Sequence, residues 1–155
     1  MKLVVASVSK TSFPWAEEAA REYLERLARY GPVEEWVLKP ALFHGDVDAV
    51  RSEEGARLLG RLKSGDHLVA LDERGDLLGT QGWADLLERA ARTGCRRLVF
   101  ALGGPYGHGP GVREHASKSV SLSPLVLNHQ VARVVVLEQL YRVQALRRGE
   151  PYHHT

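Results

Sequence analysis

This sequence has one cysteine, no long apolar run and almost no excess of charge of either sign. Cys95 is the only cysteine, which excludes an intrachain disulfide framework and fits a reducing compartment. No apolar stretch approaches the ~18 residues that a membrane span needs, and the N-terminal apolar stretch meets Lys10 too soon for a signal peptide. We therefore expect a soluble, cytoplasmic protein that does not enter a membrane.

The charges nearly cancel, because 21 Lys and Arg residues stand against 19 Asp and Glu residues, a net charge of +2. So small an excess excludes a protein that coats nucleic acid through bulk charge, although it allows a local basic patch. The 155 residues, 44% of them hydrophobic, suit one domain with a core of its own. We expect residues 1–155 to form a single domain.

Several motifs that would assign a function directly are missing. The sequence has neither the Gly-Lys-Ser/Thr of a P-loop nor Gly-x-Gly-x-x-Gly, and it has no Gly-x-Ser-x-Gly elbow for a nucleophilic serine. Its seven histidines and one cysteine show neither His-x-x-x-His nor Cys-x-x-Cys spacing. We expect no metal site.

Strand-like and helix-like segments alternate along the chain. Short apolar segments predict strands at residues 3–8, 33–38, 67–71 and 97–102, with an extended stretch at 119–127. Helical spacing and end signals predict three helices that begin near Pro14, after Asp46 and at a cap on Thr80. Two more helices are predicted at residues 110–118 and 130–148, and Pro151 prevents the last from continuing. This order predicts an α/β fold with a mostly parallel sheet and helices on both faces. Ligands of such folds bind beyond the carboxyl ends of the strands, here the loops after Leu71, Leu102 and Leu127.

Two segments stand out within this framework. Glycines at residues 103–109 would let the backbone approach a ligand closely, or they would serve only a tight strand-to-helix turn. The helix at residues 131–146 is apolar over most of its circumference, which is typical of a core helix or of an oligomer interface. Glu138 and Arg142, four residues apart on one face, slightly favour the interface.

A set of short motifs occurs in a characteristic order. They are Leu-Gly-Gly-Pro-Tyr-Gly at 102–107, Ser-Leu-Ser at 121–123, His129, Arg-Val-Val at 133–135, Glu-Gln-Leu-Tyr-Arg at 138–142 and Pro-Tyr-His at 151–153. With them the whole chain, most strongly from Gly103 onward, resembles the ribosomal large-subunit methyltransferase H family of the SPOUT (trefoil-knot) methyltransferases. The chain departs from the family pattern at Asn128, where proline is common, and at His154, where some members have arginine.

The resemblance implies a fold, a reaction and partners. It implies a C-terminal trefoil knot, a homodimer, S-adenosylmethionine as methyl donor and no metal. The reaction would be methylation of N3 of a pseudouridine in the 23S rRNA stem-loop that bridges the ribosomal subunits, on assembled ribosomes. The implied donor site consists of Leu71, Gly103, Leu122, Ser123, Pro124, Leu125, Val126 and Leu127. The implied substrate and catalytic side consists of His129, Arg142, Tyr152 and His153.

Chemistry suggests a role for each residue on the catalytic side. The imidazole of His153 is the candidate base because its pKa lies near neutrality, with His129 or Asp72 as substitutes. Arg142 would stabilise an anion or hold phosphate, and Tyr152 would stack on a base. Two structural alternatives remain: a salt bridge from Arg142 to Glu138, and a disordered tail. A non-catalytic RNA-binding or ribosome-associated module on the same fold is the alternative function, and it would need no adenosine pocket.

Overall fold

The computed structural model describes residues 1–8 and 13–152 and contains an alternating series of strands and helices. In chain order these are β1 (Lys2–Val8), α1 (Pro14–Ala28), β2 (Val33–Leu38), α2 (Val47–Leu59), β3 (Asp66–Leu77), α3 (Thr80–Arg92), β4 (Arg97–Leu102), α4 (Pro110–His115), β5 (Lys118–Ser121) and α5 (His129–Arg147). Within the described ranges, no helix is long and apolar enough to cross a membrane.

The five strands form one parallel sheet in the order β2-β1-β4-β3-β5. Alternate side chains of each strand face opposite layers, so Val5 and Phe100 join α1, α3 and α5 in one core, while Val4 and Val99 join α2 and α4 in the other. The predicted α/β fold, a mostly parallel sheet with helices on both faces, is therefore confirmed.

Helix starts follow local chemistry, with one correction. The Asp46 carboxylate accepts hydrogen bonds from the backbone N–H groups of Asp48 (2.9 Å) and Ala49 (3.3 Å), as the predicted cap requires. The predicted Thr80 cap is wrong, because Gly79 occupies the cap position and Thr80 is already the first helical residue. Gly79 has no side chain to offer, so this helix start lacks a side-chain cap.

Strand β3 runs past the predicted end at Leu71, and its extension shapes the sheet edge. Val120 of β5 pairs with both Leu71 and Asp76, so the four residues between them form an irregular bulge. A Cβ on Gly75 would lie 2.5 Å from the backbone nitrogen of Val120, so the bulge has room only for glycine there. The polar bulge residues thereby lie at the carboxyl end of the apolar half of β3.

The C-terminal third differs from expectation at three boundaries. Helix α4 stops at His115, three residues early, and the extended stretch forms a strand only in β5, leaving residues 122–127 as a loop. Helix α5 ends at Arg147 before Pro151 can act, because Gly149 adopts φ +68° and the Glu150 N–H bonds the Ala145 carbonyl at 2.9 Å. Glycine, rather than proline, ends this helix.

A buried ion-pair network fixes α5 relative to the sheet. The Arg133 guanidinium donates to both carboxylate oxygens of Glu35 on β2, at 2.6 and 2.7 Å, and to Glu17 on α1 at 3.1 Å. The Arg133 side chain is buried, so its charge needs these partners. The first turns of α5 are thus held against β2 and α1.

Candidate functional site

A cleft of about 510 Å³ opens at the carboxyl ends of β3, β4 and β5. Among the residues expected to hold a methyl donor, it is lined by Leu71, Gly103, Leu122, Ser123, Leu125, Val126 and Leu127, and also by His129 from the catalytic set. Pro124 is not among its lining residues. The cleft therefore brings together nearly all of the expected donor site and one of the expected catalytic residues.

The glycine loop forms the floor of the cleft as a tight turn. The Gly107 N–H donates to the Gly104 carbonyl at 2.9 Å, and Gly107 has φ +74°. A Cβ on Gly103 would lie 2.9 Å from the carbonyl carbon of Gly107. The packing of the turn itself therefore requires glycine at position 103, the structural alternative that the sequence left open.

Residues 122–127 form an anchored loop with an exposed apolar tip. Leu122 and Leu127 pack against the core at its two ends, and the Leu125 N–H donates to Ser123 Oγ at 2.9 Å. Leu125 and Val126 are nevertheless 74% and 88% exposed. Large apolar side chains beside an open cleft provide surface that a partly apolar ligand can cover.

Two ionisable groups in the cleft are already engaged. The Asp72 carboxylate, with its side chain 4% exposed, is gripped by Arg74 through contacts of 2.9 Å to both oxygens. These hydrogen bonds hold the pKa of Asp72 below its ordinary value. Burial lowers the pKa of His108, whose Nε2 lies 2.9 Å from the Ala101 carbonyl and must therefore be its protonated, donating nitrogen. Both side chains are buried, with 6% of His108 and 4% of the Asp72 side chain exposed, so little of either group faces the open part of the cleft.

Sequence reasoning missed several cleft residues. His108, Arg51 and Tyr106 line the cleft, and Arg51 Nε donates to the Tyr106 carbonyl at 2.8 Å. Arg51 lies on α2, more than 50 residues from the glycine loop, and no spacing in the sequence indicates that contact. The position of His108 in the loop after β4 was the available signal, since ligands of parallel α/β sheets bind at loops that follow the carboxyl ends of strands.

Two further catalytic candidates, Arg142 and Tyr152, lie in a second cluster. Arg142 donates to Glu138 Oε1 from Nε (3.0 Å) and Nη2 (2.6 Å), so the salt bridge left open by the sequence is present. Its guanidinium also lies 4.7 Å from the centre of the Tyr152 ring, and the centres of the Tyr152 and Tyr141 rings are 4.6 Å apart with the planes at 70°. Burial raises the pKa of Tyr152, which keeps its hydroxyl protonated. The cluster is thus built from α5 and the turn that follows it.

Within one chain the two clusters are far apart. His129 begins α5 and Arg142 follows thirteen residues later, which at 1.5 Å per residue is about 20 Å along the helix. The fourth candidate, His153, lies outside the described residues. In the part of the chain that the structure describes, no group of His, Cys, Asp and Glu side chains is arranged to hold a metal ion.

Comparison with known proteins identifies the family. A family model described as "Predicted SPOUT methyltransferase" matches residues 1–153. The chain belongs to the SPOUT methyltransferase family. Similar curated proteins share the name Ribosomal RNA large subunit methyltransferase H. The one from Geobacter sp. (strain M21) is 40% identical over 155 residues, and the one from Porphyromonas gingivalis (strain ATCC 33277) is 36% identical over 156 residues, each alignment covering 99% of both chains. The one from Pelotomaculum thermopropionicum is 39% identical over 159 residues, or 98% of both chains.

SPOUT membership makes the chain a methyltransferase and implies the trefoil knot and the methyl donor S-adenosylmethionine. The cleft fits such a donor in size, since pockets for ligands of this class measure roughly 300–1,000 Å³. It also fits in chemistry, because apolar walls from Leu122 and Leu127 adjoin the main chain of the glycine turn. An adenosine group needs this combination of apolar contact and backbone hydrogen bonding.

Proposed function

We propose that this SPOUT protein is a cytoplasmic, S-adenosylmethionine-dependent methyltransferase of 23S rRNA. Its substrate is N3 of a pseudouridine in the stem-loop at the intersubunit bridge, on assembled ribosomes. The observation that carries the proposal is the cleft at the ends of β3, β4 and β5, lined by seven of the eight residues that the resemblance assigned to the donor site. The names of the relatives support the choice of large-subunit rRNA as substrate.

The chain's own residues would act mainly by positioning. When bound, S-adenosylmethionine supplies an electrophilic methyl group. The apolar side chains of the loop at residues 122–127 would contact the adenosine group and would help to exclude water from it. Alignment of the attacking nitrogen with the methyl carbon is worth much of the rate, because an in-line displacement tolerates little misplacement.

A base must take the N3 proton of the pseudouridine. Asp72 is tied to Arg74, and His108 is buried with only 6% of its surface exposed, so we choose neither for this role. His129 lies in the cleft, and His153 follows Tyr152 at the tail. We assign the role of general base to His153, with His129 as the substitute. We assign Arg142 to stabilise the negative charge that develops on the pseudouridine ring, or to bind an RNA phosphate.

The separation of the two clusters is the reason to propose a homodimer. About 20 Å of α5 divides His129 from Arg142, so one chain cannot bring both to the same base. The outer face of α5 carries Val131, Val134 and Val135, all only half-buried. Burying this face against a second copy would cover apolar surface and would bring one protomer's tail to the other protomer's cleft.

The test combines donor binding with methyl transfer. Calorimetry should detect S-adenosylmethionine binding, and tritium-methyl transfer to ribosomes from a strain lacking the protein should label 23S rRNA, with the methyl group located at N3 by mass spectrometry. A truncation that removes residues 151–155 should keep donor binding and lose transfer. Absence of donor binding by the intact protein would refute the enzyme and favour the RNA-binding module. Full transfer by the truncated protein would remove the tail from the site.

A further inference from the structure

An exposed aromatic pair lies at the rim of the cleft. The rings of Phe43, in the segment between β2 and α2, and Tyr106, in the glycine turn, are 5.8 Å apart and tilted by 33°. Phe43 is 54% exposed, and its neighbour Leu42 is 73% exposed. The chain therefore holds two aromatic faces in water, where burying them would be favourable.

The pair is continuous with the cleft and is held in place from α2. Tyr106 lines the cleft while Phe43 lies just outside its lining, so the pair extends the cleft wall outward. The Arg51 side chain supports the turn by donating to the Tyr106 carbonyl at 2.8 Å. A nucleotide next to one whose base enters the cleft would meet these rings first.

The surroundings of the pair offer little net charge. Each of four nearby carboxylates has a partner: Asp46 caps α2, Asp48 pairs with Arg51, Glu53 pairs with Arg57, and Glu54 accepts the Ala41 N–H at 3.1 Å. Residues 39–57 carry three positive charges, on Lys39, Arg51 and Arg57, against these four carboxylates. The rim is therefore neither strongly basic nor strongly acidic. A ligand attracted here would bind through ring faces rather than through phosphate charge.

We propose that the Phe43–Tyr106 pair stacks an unpaired RNA base that flanks the target nucleotide. This proposal rests on the proposed function, because the target base must leave its own stack to enter the cleft, and its neighbour then loses a stacking partner. Aromatic side chains take up such bases in RNA loops, through π faces that every base possesses. An unpaired base suits this rim better than a protein surface does, because Tyr106 lines the cleft that the target base would enter and a flanking nucleotide would then lie beside the rings.

Paired alanine variants at adjacent exposed positions test the stacking. Phe43→Ala should raise the KM for ribosomes about tenfold with kcat and S-adenosylmethionine affinity unchanged, since a base–aromatic stack is worth about that factor. Leu42→Ala removes a more exposed apolar side chain that has no ring, and it should change KM less than twofold. Equal losses in the two variants would indicate a protein contact instead of stacking and would overturn the proposal.

Salt dependence and an aromatic replacement supply independent measurements. The loss in Phe43→Ala should be the same at low and high salt, because no phosphate contact is removed, and a reduced salt slope would contradict stacking. Phe43→Trp should restore the KM, and the added indole should lose fluorescence when a short single-stranded oligoribonucleotide binds, relative to the wild-type signal. Restoration by Phe43→Leu as well would refute the role of the ring.

The two levels of proposal fail differently. If the intact protein transfers methyl groups to ribosomes and Phe43→Ala has the same KM for ribosomes, the stacking site is refuted and the proposed function stands. If the intact protein transfers none, the proposed function fails first.

Discussion

Replacing Gly103 by alanine tests whether the turn under the cleft is as tightly packed as its geometry indicates. The new Cβ would lie 2.9 Å from the Gly107 carbonyl carbon and 3.1 Å from the His108 nitrogen. Ordinary contacts begin near 3.4 Å, so the opposing backbone must retreat by roughly half an ångström. That backbone is held by the Gly104–Gly107 hydrogen bond and by the bond from His108 to Ala101, both 2.9 Å long.

The magnitude follows from this confinement. Overpacking a site that cannot relax costs about 1–3 kcal/mol, which lowers the melting temperature of a domain of this size by roughly 2–10 °C. Because Gly103 and Gly107 line the cleft, the same displacement should weaken S-adenosylmethionine binding. Gly103→Ala should therefore lose both stability and donor affinity, whereas a purely ligand-facing glycine would lose affinity alone.

Two other glycines are matched controls for the same substitution. A Cβ on Gly107 meets nothing within 4 Å, but φ +74° there costs an L-residue about 1 kcal/mol. A Cβ on Gly111, in the first turn of α4, meets nothing and has no such strain, so Gly111→Ala should be neutral or slightly stabilising. Urea denaturation should show the largest loss of stability in Gly103→Ala, a smaller loss in Gly107→Ala and the smallest in Gly111→Ala, and calorimetry should give the same order for loss of donor affinity. A Gly103→Ala variant as stable as Gly111→Ala would refute the packing argument.

Three further predictions concern pH, the buried ion pair and assembly. Because burial holds the pKa of His108 below 6.5, the unfolded chain takes up a proton first as pH falls, and the free energy of unfolding should decline below pH 6.5. His108→Gln keeps a donor for the Ala101 carbonyl and should flatten this decline in urea denaturation at a series of pH values. An unchanged pH dependence in that variant would contradict the role of His108. Arg133→Met should lower the free energy of unfolding by about 3 kcal/mol, because it leaves the Glu35 carboxylate without this partner. Adding Glu35→Gln should recover part of that stability in urea denaturation, and no recovery would exclude the carboxylate as the cause. Val135→Glu should convert a dimer to monomer in light scattering without unfolding it, because the side chain is half-exposed in one chain, and an unchanged mass would place the interface elsewhere.

Strands were predicted well where local sequence determines them. The bounds of β2 and β4 match expectation residue for residue, because turn-forming residues flank both strands: Gly31-Pro32 and Pro40 around β2, and Gly94 and Gly103 around β4. The extension of β3 past Leu71 was missed, since its polar residues resemble a turn and pair only because β5 lies alongside. Short-range pattern contains no information on such long-range pairing.

The candidate site shows the same division between local and distant effects. Motif order indicated the glycine turn and the loop at residues 122–127, because both come from contiguous sequence. The support from Arg51 and the aromatic contact of Phe43 depend on packing between α2 and the glycine turn, which no spacing reveals. Likewise, the separation of His129 from Arg142 follows from the continuous helix α5 between them.

Glu54 connects the glycine turn in the cleft with the rim that carries Phe43. This buried carboxylate on α2 accepts the Ala41 N–H, which ties down the segment carrying Phe43. It also packs so closely on the glycine turn that a Cβ on Gly104 would lie 2.5 Å from its Oε2. Since one side chain braces both segments, their relative position is fixed before any ligand binds, and neither must be ordered at the expense of binding energy. The distance between the proposed base-stacking rings and the proposed donor pocket is therefore set by the packing of α2.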